Sequence, residues 1–289
     1  MGAVGVARVN TLQSYLRLAR ISNLPTVWSN VLAAAVLAGG SGAAPQTIVL
    51  VMLAMSLFYT GGMFLNDAFD QEIDARERPG RPLPAKAVSA MSVWTAGVAM
   101  MVLGIAIMFY FSATAGAASI ALAAVILIYD AWHKGNAVAP FIMGACRALV
   151  YVTTAIAVGQ TTVTLAALAL LAYVAGLTFA AKQEAFDRVE AWWPFVMLAA
   201  PAVYAVSVTE NLASTLPFVA AAVGAIGIAL HYLRRRRPGD IGRAVSLLIA
   251  GVALGDAALV STVGSTTIAL LCCGLFLLTL ALQRVIPGT

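Results

Sequence analysis

Long apolar runs separated by short polar stretches dominate the chain, and their lengths predict helices. Ten such segments are delimited, at about 23–40, 46–66, 89–111, 114–131, 138–158, 162–182, 193–209, 213–233, 243–263 and 266–284. A bilayer span needs about 20 mostly apolar residues. A lipid-exposed segment must satisfy its own backbone hydrogen bonds, which a helix does within itself. A membrane β-barrel would instead alternate polarity over strands of about ten residues. The runs Ile120–Ile128 and Leu270–Leu282 do not alternate. The expected fold class is therefore an all-α polytopic integral membrane protein, with residues 1–289 as one transmembrane domain.

Composition agrees. Apolar residues make up 62% and charged residues 10% of the chain, against about 45–50% and about 25% in an ordinary soluble domain. That excludes a soluble enzyme, a disordered chain and a disulfide scaffold. Cys146, Cys272 and Cys273 lie in apolar runs without metal-ligand spacing and read as packing residues. The net charge of +5 does not point to nucleic acid. With the N-terminus in the cytoplasm, sixteen of the seventeen basic residues fall on the cytoplasmic side, Arg147 in the fifth segment being the exception. This is the positive-inside pattern. It predicts an inner or plasma membrane protein with both termini inside.

The acidic residues carry the chemistry. Eight of twelve fall in two short stretches, after segments 2 and 6. In the first, Asn66-Asp67-Ala68-Phe69-Asp70-Gln71-Glu72-Ile73-Asp74, a continuing helix sets Asp67, Asp70 and Asp74 at i, i+3 and i+7, on one face. Stacked carboxylates repel, and a cation resolves the conflict. Oxygen donors suit Mg²⁺, which takes one or two protein carboxylates plus substrate phosphates. Glu72 points to the opposite face. The second stretch offers Lys182, Gln183, Glu184, Asp187 and Arg188, with Glu184 and Asp187 as further metal ligands. Between the two lie Arg76, Arg78, Arg81 and Lys86. Arginine suits bidentate phosphate binding. Acids for a metal, arginines for phosphate and an apolar interior describe a lipid diphosphate as ligand.

With these residues the chain resembles the UbiA superfamily of intramembrane prenyltransferases. The family's first motif, Asn-Asp-x-x-Asp-x-x-x-Asp, is matched by Asn66, Asp67, Asp70 and Asp74, and Arg78-Pro79-Gly80-Arg81-Pro82-Leu83-Pro84 is similar to the stretch that follows it. Arg20-Ile21-Ser22-Asn23-Leu24-Pro25 resembles the family's entry to helix 1. The second motif, usually Asp-x-x-x-Asp, falls on Gln183 and Asp187. Glu184 supplies the carboxylate from the neighbouring position, a pattern similar to the EboC-like branch. The resemblance implies a nine-helix bundle, to which a tenth segment is added. It also implies Mg²⁺-dependent transfer of a prenyl group from a prenyl diphosphate to a small aromatic or polar acceptor inside the membrane. It casts Asp67, Asp70 and Asp187 as catalytic. Asn66, Asp74 and Glu184 join them at the metal. Arg78, Arg81, Lys134 and Lys182 bind diphosphate, and Asn23, Asp130 and Gln183 line the acceptor cavity.

Other polar positions admit plainer roles. Tyr129 and Trp132 read as interfacial belt residues, and His133 as a surface residue. Arg147 and Asp256 are buried ionisable groups that can pair with each other. Asn30 lines the mouth or bridges helices. Two other functions stay open: a membrane terpene cyclase on the same scaffold, and a lipid-binding or transport protein. A transporter would set its ionisable groups near the bilayer midplane, whereas most here gather at one face. The topology has a direct test. Single cysteines at Ala75 and Gly239, in a background lacking the native three, should react with an impermeant maleimide only after the cytoplasmic side is opened. Labelling from outside would contradict the orientation.

Overall fold

The computed structural model describes residues 11–39, 43–159, 163–184 and 192–288. The elements are α1 (Thr11–Leu18), a 3-10 turn (Ile21–Asn23), α2 (Pro25–Leu37), α3 (Pro45–Phe69), α4 (Gln71–Glu77), α5 (Ala90–Phe111) and α6 (Ala113–Trp132). They continue with α7 (Ala139–Ala157), α8 (Thr164–Glu184), a second 3-10 turn (Trp193–Ala199), α9 (Ala200–Val208), α10 (Leu212–Arg235), α11 (Asp240–Ser261) and α12 (Thr266–Gln283). No strand occurs among the described residues. Each of the ten apolar segments is an apolar helix. Eight are long enough to cross a bilayer, so the chain is a multi-pass integral membrane protein. The first and seventh are shorter, at Ile21–Leu37 and Trp193–Val208. The seventh is a 3-10 turn running into α9, and it carries Pro194 and Pro201, which remove backbone donors and disfavour a regular helix through them.

Local chemistry sets the boundaries. Pro25 and Pro45 stand at the first positions of α2 and α3, where a missing N–H costs nothing. Ser89 and Ser112 accept from the backbone N–H groups of Ser92 and Ala115 and so cap α5 and α6. Gly239, at φ 81°, turns α10 into α11. The turn is clamped by Arg235, whose Nε and Nη2 each donate to Asp240 at 2.8 Å.

α11 sits at the centre, packed on α2, α8, α10 and α12. Every residue from Ala250 to Ser261 is buried. One apolar core joins Tyr151, Leu170, Leu198, Leu248 and Leu259. Another joins Val31, Met55, Phe58, Met108 and Leu122. Leu103, Leu127, Leu271 and Leu277 point outward, as lipid-facing residues do where water supplies no penalty. Small residues let helices approach. A Cβ added to Gly144 of α7 would stand 2.5 Å from the Leu171 carbonyl oxygen of α8. Gly144→Ala should therefore cost about 1–3 kcal/mol, read as a lowered thermal midpoint in detergent. Gly274→Ala, where the new Cβ meets nothing within 4 Å, should leave the midpoint unchanged or raise it.

Candidate functional site

α3 ends at Phe69 and α4 begins at Gln71, but the helical hydrogen bonding runs through the junction. Asp70 N–H donates to Asn66 O at 3.0 Å and Asp74 N–H to Asp70 O at 2.8 Å. The i, i+3, i+7 register is thus kept. Asn66, Asp67, Asp70 and Asp74 are all buried, while Glu72 and Glu77 are exposed.

Three carboxylates on one ridge need opposite charge, and the fold brings it from three directions. Arg20, just before the first 3-10 turn, lies 3.3 Å from Asp67. Arg81, in the loop after α4, meets Asp74 at 2.5 Å and Asp67 at 3.5 Å. Beyond the end of α6, His133 Nε2 lies 3.4 Å and Lys134 Nζ 3.3 Å from Asp70, and Lys134 is 3.9 Å from Asp74. Burial pushes the Asp70 carboxyl up, but the hydrogen bond and charge of His133, joined by Lys134, outweigh it. The group sits below its ordinary value. Arg20 holds its place at some conformational cost, with φ at 42°. Its carbonyl accepts from Tyr59 OH and its Nη1 rests on Met63 Sδ. Arg20 and His133 stand at the ridge, although the sequence presents the one as part of the entry to helix 1 and the other as a surface group. Their contacts with the ridge span 47 and 63 positions, so no local spacing announces them.

Of the other expected residues, Arg78 is exposed. Lys182, in the last turn of α8, donates to Asn136 O at 2.6 Å. Asn23 is buried, giving Nδ2 to Gly288 O and accepting from Gln283 Nε2. The side chains of Gln183 and Glu184, and all of Asp187 and Arg188, lie outside the described residues. The donor set of Asn66, Asp67, Asp70 and Asp74 is oxygen-rich, as Mg²⁺ requires. Among the described residues no three His, Cys, Asp or Glu side chains enclose a metal. The ridge therefore offers oxygen donors to a cation and leaves part of its shell to other ligands.

Beneath the ridge lies a cavity of about 80 Å³. Phe58, Tyr59, Leu122, Tyr129 and Val150 line it, with Asp130 and Arg147 as its ionisable members. Tyr129 is thus a cavity residue stacked on His133 rather than a belt residue. A belt assignment from sequence misses that the last turn of α6 faces inward at this position. Trp132 is exposed. Arg147 and Asp256 do not touch directly. Arg147 donates to Asn30 Oδ1 at 2.8 Å and Thr26 Oγ1 at 3.1 Å, and lies over the Tyr59 ring. Asn30 passes its own Nδ2 to Asp256 at 2.8 Å, where Ser29 and Tyr151 also donate. Asn30 therefore bridges helices.

Comparison with known proteins places this geometry. The sequence profile of the UbiA prenyltransferase family matches residues 26–191, more than half of the chain. A digeranylgeranylglyceryl phosphate synthase of Methanothrix thermoacetophila is 37% identical over 102 residues, 34% of this chain and 38% of that protein. The match thus spans well under two thirds of the relative. In three dimensions the chain is similar to a UbiA homologue from Aeropyrum pernix K1, at TM-score 0.64 and 18% identity, over 84% of this chain and 97% of that one. It is also similar to a UbiA homologue from Archaeoglobus fulgidus bound to GPP and Mg²⁺, at TM-score 0.55 and 15% identity, over 85% and 99%. The motif, the helical bundle and the profile match agree: the chain belongs to the UbiA prenyltransferase family.

Proposed function

We propose that the chain, as one domain over residues 1–289, catalyses Mg²⁺-dependent transfer of a prenyl group from a prenyl diphosphate to a polar acceptor of glycerophosphate type. The reaction takes place at the cytoplasmic mouth of the bundle. One observation carries this reading. Three buried carboxylates share a helix face, four basic side chains ring them, and an apolar, aromatic cavity opens beneath. The Archaeoglobus homologue bound to GPP and Mg²⁺ supports the ligand pair, and the name of the Methanothrix relative supports the acceptor class.

Asn66, Asp67, Asp70 and Asp74 would hold the metal, with Glu184 and Asp187 as its further ligands. Mg²⁺, when bound, neutralises charge growing on the departing diphosphate. Arg81 and Lys134, joined by Arg20 and His133, face the same oxygens. Arg78 and Lys182 are the further basic residues that would bind the diphosphate. The cavity keeps water from the allylic centre.

The acceptor class admitted by the sequence included aromatic rings, but the relative's name favours the polar arm. The EboC-like placement rests on Gln183 in the second motif. A terpene cyclase would carry its cation down the chain into the cavity, where the Arg147 guanidinium in the wall raises the energy of any second positive charge. Transport is disfavoured because Arg147 and Asp256, the ionisable pair deepest in the bundle, are tied into one hydrogen-bonded network.

Purified protein incubated with Mg²⁺, geranylgeranyl diphosphate and geranylgeranylglyceryl phosphate should yield a singly prenylated adduct by mass spectrometry. Turnover should vanish in EDTA. Asp67→Ala and Asp70→Ala should each lower it by about 10²–10³. A cyclic hydrocarbon as the sole product, or full activity in EDTA, would overturn the proposal. Arg81→Gln strips the counter-charge from Asp67 and Asp74. It should raise KM for the diphosphate about tenfold or more, consistent with a charged hydrogen bond worth about 1.5–3 kcal/mol.

A further inference from the structure

Arg20 reaches Asp67 from an unfavourable backbone. Its φ of 42° and ψ of 47° are left-handed, a conformation that an L side chain holds only where its surroundings impose it. The 3-10 turn Ile21–Asn23 follows, and Pro25 then opens α2. Two donors fix the Arg20 carbonyl, the Tyr59 hydroxyl at 3.2 Å and the Asn23 N–H at 2.9 Å. Asn23 is 5% exposed, and its side chain is gripped at both ends by one distant segment. Its Nδ2 donates to Gly288 O at 2.9 Å, across 265 positions, and its Oδ1 accepts from Gln283 Nε2 at 3.0 Å. The helix that Gln283 ends, α12, packs on the same turn. A Cβ added to Gly288 would stand 2.5 Å from Asn23 Oδ1, so the approach is one that glycine alone permits.

We infer that Asn23 is a positioning residue, clasped by Gln283 and Gly288, that holds Arg20 in the left-handed turn from which its guanidinium reaches Asp67 and the diphosphate. This rests on the prenyl-transfer reading and adds to it a part for the segment after α12. Asn23 is not among the residues lining the cavity. Its side chain faces α12, while its backbone N–H holds the Arg20 carbonyl. With the clasp intact, Arg20 is set before the ligand arrives, and binding does not have to order it. With the clasp broken, the turn relaxes toward ordinary backbone and the guanidinium swings off the ridge. Arg20 meets the diphosphate in the bound state as well as during cleavage, so its loss reads mainly as a raised KM.

Steady-state kinetics with Mg²⁺, geranylgeranyl diphosphate and geranylgeranylglyceryl phosphate test this. Asn23→Ala should raise KM for the diphosphate about tenfold, as expected for one charged hydrogen bond, with a smaller change in kcat and none in the acceptor KM. Arg20→Gln should raise it at least as far. The double variant should rise no further than Arg20→Gln alone, because residues that act through one contact are not additive. Gly288→Ala displaces the Asn23 side chain without altering it. It should raise the same KM to a lesser degree, and should be silent once Arg20 is replaced. Gly274→Ala, whose new Cβ meets nothing within 4 Å, should leave that KM unchanged. Additive effects in the double variant would overturn the inference. So would a raised acceptor KM in place of the diphosphate KM, or a lower kcat and thermal midpoint with the diphosphate KM unmoved. If Asn23→Ala does not fold, an unchanged KM in Gly288→Ala overturns it. A wild type that releases no diphosphate with Mg²⁺ overturns the prenyl-transfer reading and this inference with it. An active wild type whose KM survives both Asn23→Ala and Gly288→Ala overturns the inference alone.

Discussion

Three aspartates buried on one helical ridge are the constraint to which the surrounding structure answers. Asp67, Asp70 and Asp74 cannot share a face in a poorly solvated place without opposite charge close by. The chain supplies it from Arg20, from the loop carrying Arg81 and from the end of α6. Those contacts join the N-terminal entry, the α4–α5 loop and the α6–α7 loop on one point. The loops at this end of the bundle are organised around the ridge, and the ridge is held in shape by groups that also suit a diphosphate.

The apolar interior answers a second demand. α11 is wrapped so fully that the acid in its interior, Asp256, must find its donors inside. Ser29, Asn30 and Tyr151 supply them from α2 and α7. A buried carboxylate with three donors pins three helices beneath the cavity more specifically than apolar contacts can. Arg147 in the cavity wall is thereby fixed in place by a network whose other end lies in the middle of the bundle.

Much of this was legible along the chain. All ten apolar segments appear as helices because helical hydrophobicity is a local property. The ridge was legible because three aspartates at i, i+3 and i+7 state their own geometry. Glu72 fell opposite, as the same periodicity requires. Arg81 and Lys134 were named for the site, but two other partners were not legible. Arg20 and His133 reach Asp67 and Asp70 across tertiary distance. Asn23 turns to Gln283 and Gly288, a contact set by where the last helix docks. Tyr129 reads as interfacial by type and depth, yet the rotation of α6 aims it inward. Arg147 and Asp256 were recognisable as a pair of opposite sign, but the intervening amide of Asn30 is a matter of packing.

That single amide has an electrical consequence. A lone charge displaced across an energised membrane gains or loses about 2.3 kcal/mol per 100 mV, enough to bias a marginal fold. Here the cation and the anion are yoked through Asn30. A transmembrane voltage pulls on the two ends in opposite directions, and the net force on the interior is close to nil. The bundle can therefore keep ionised groups at depth without becoming a voltage sensor.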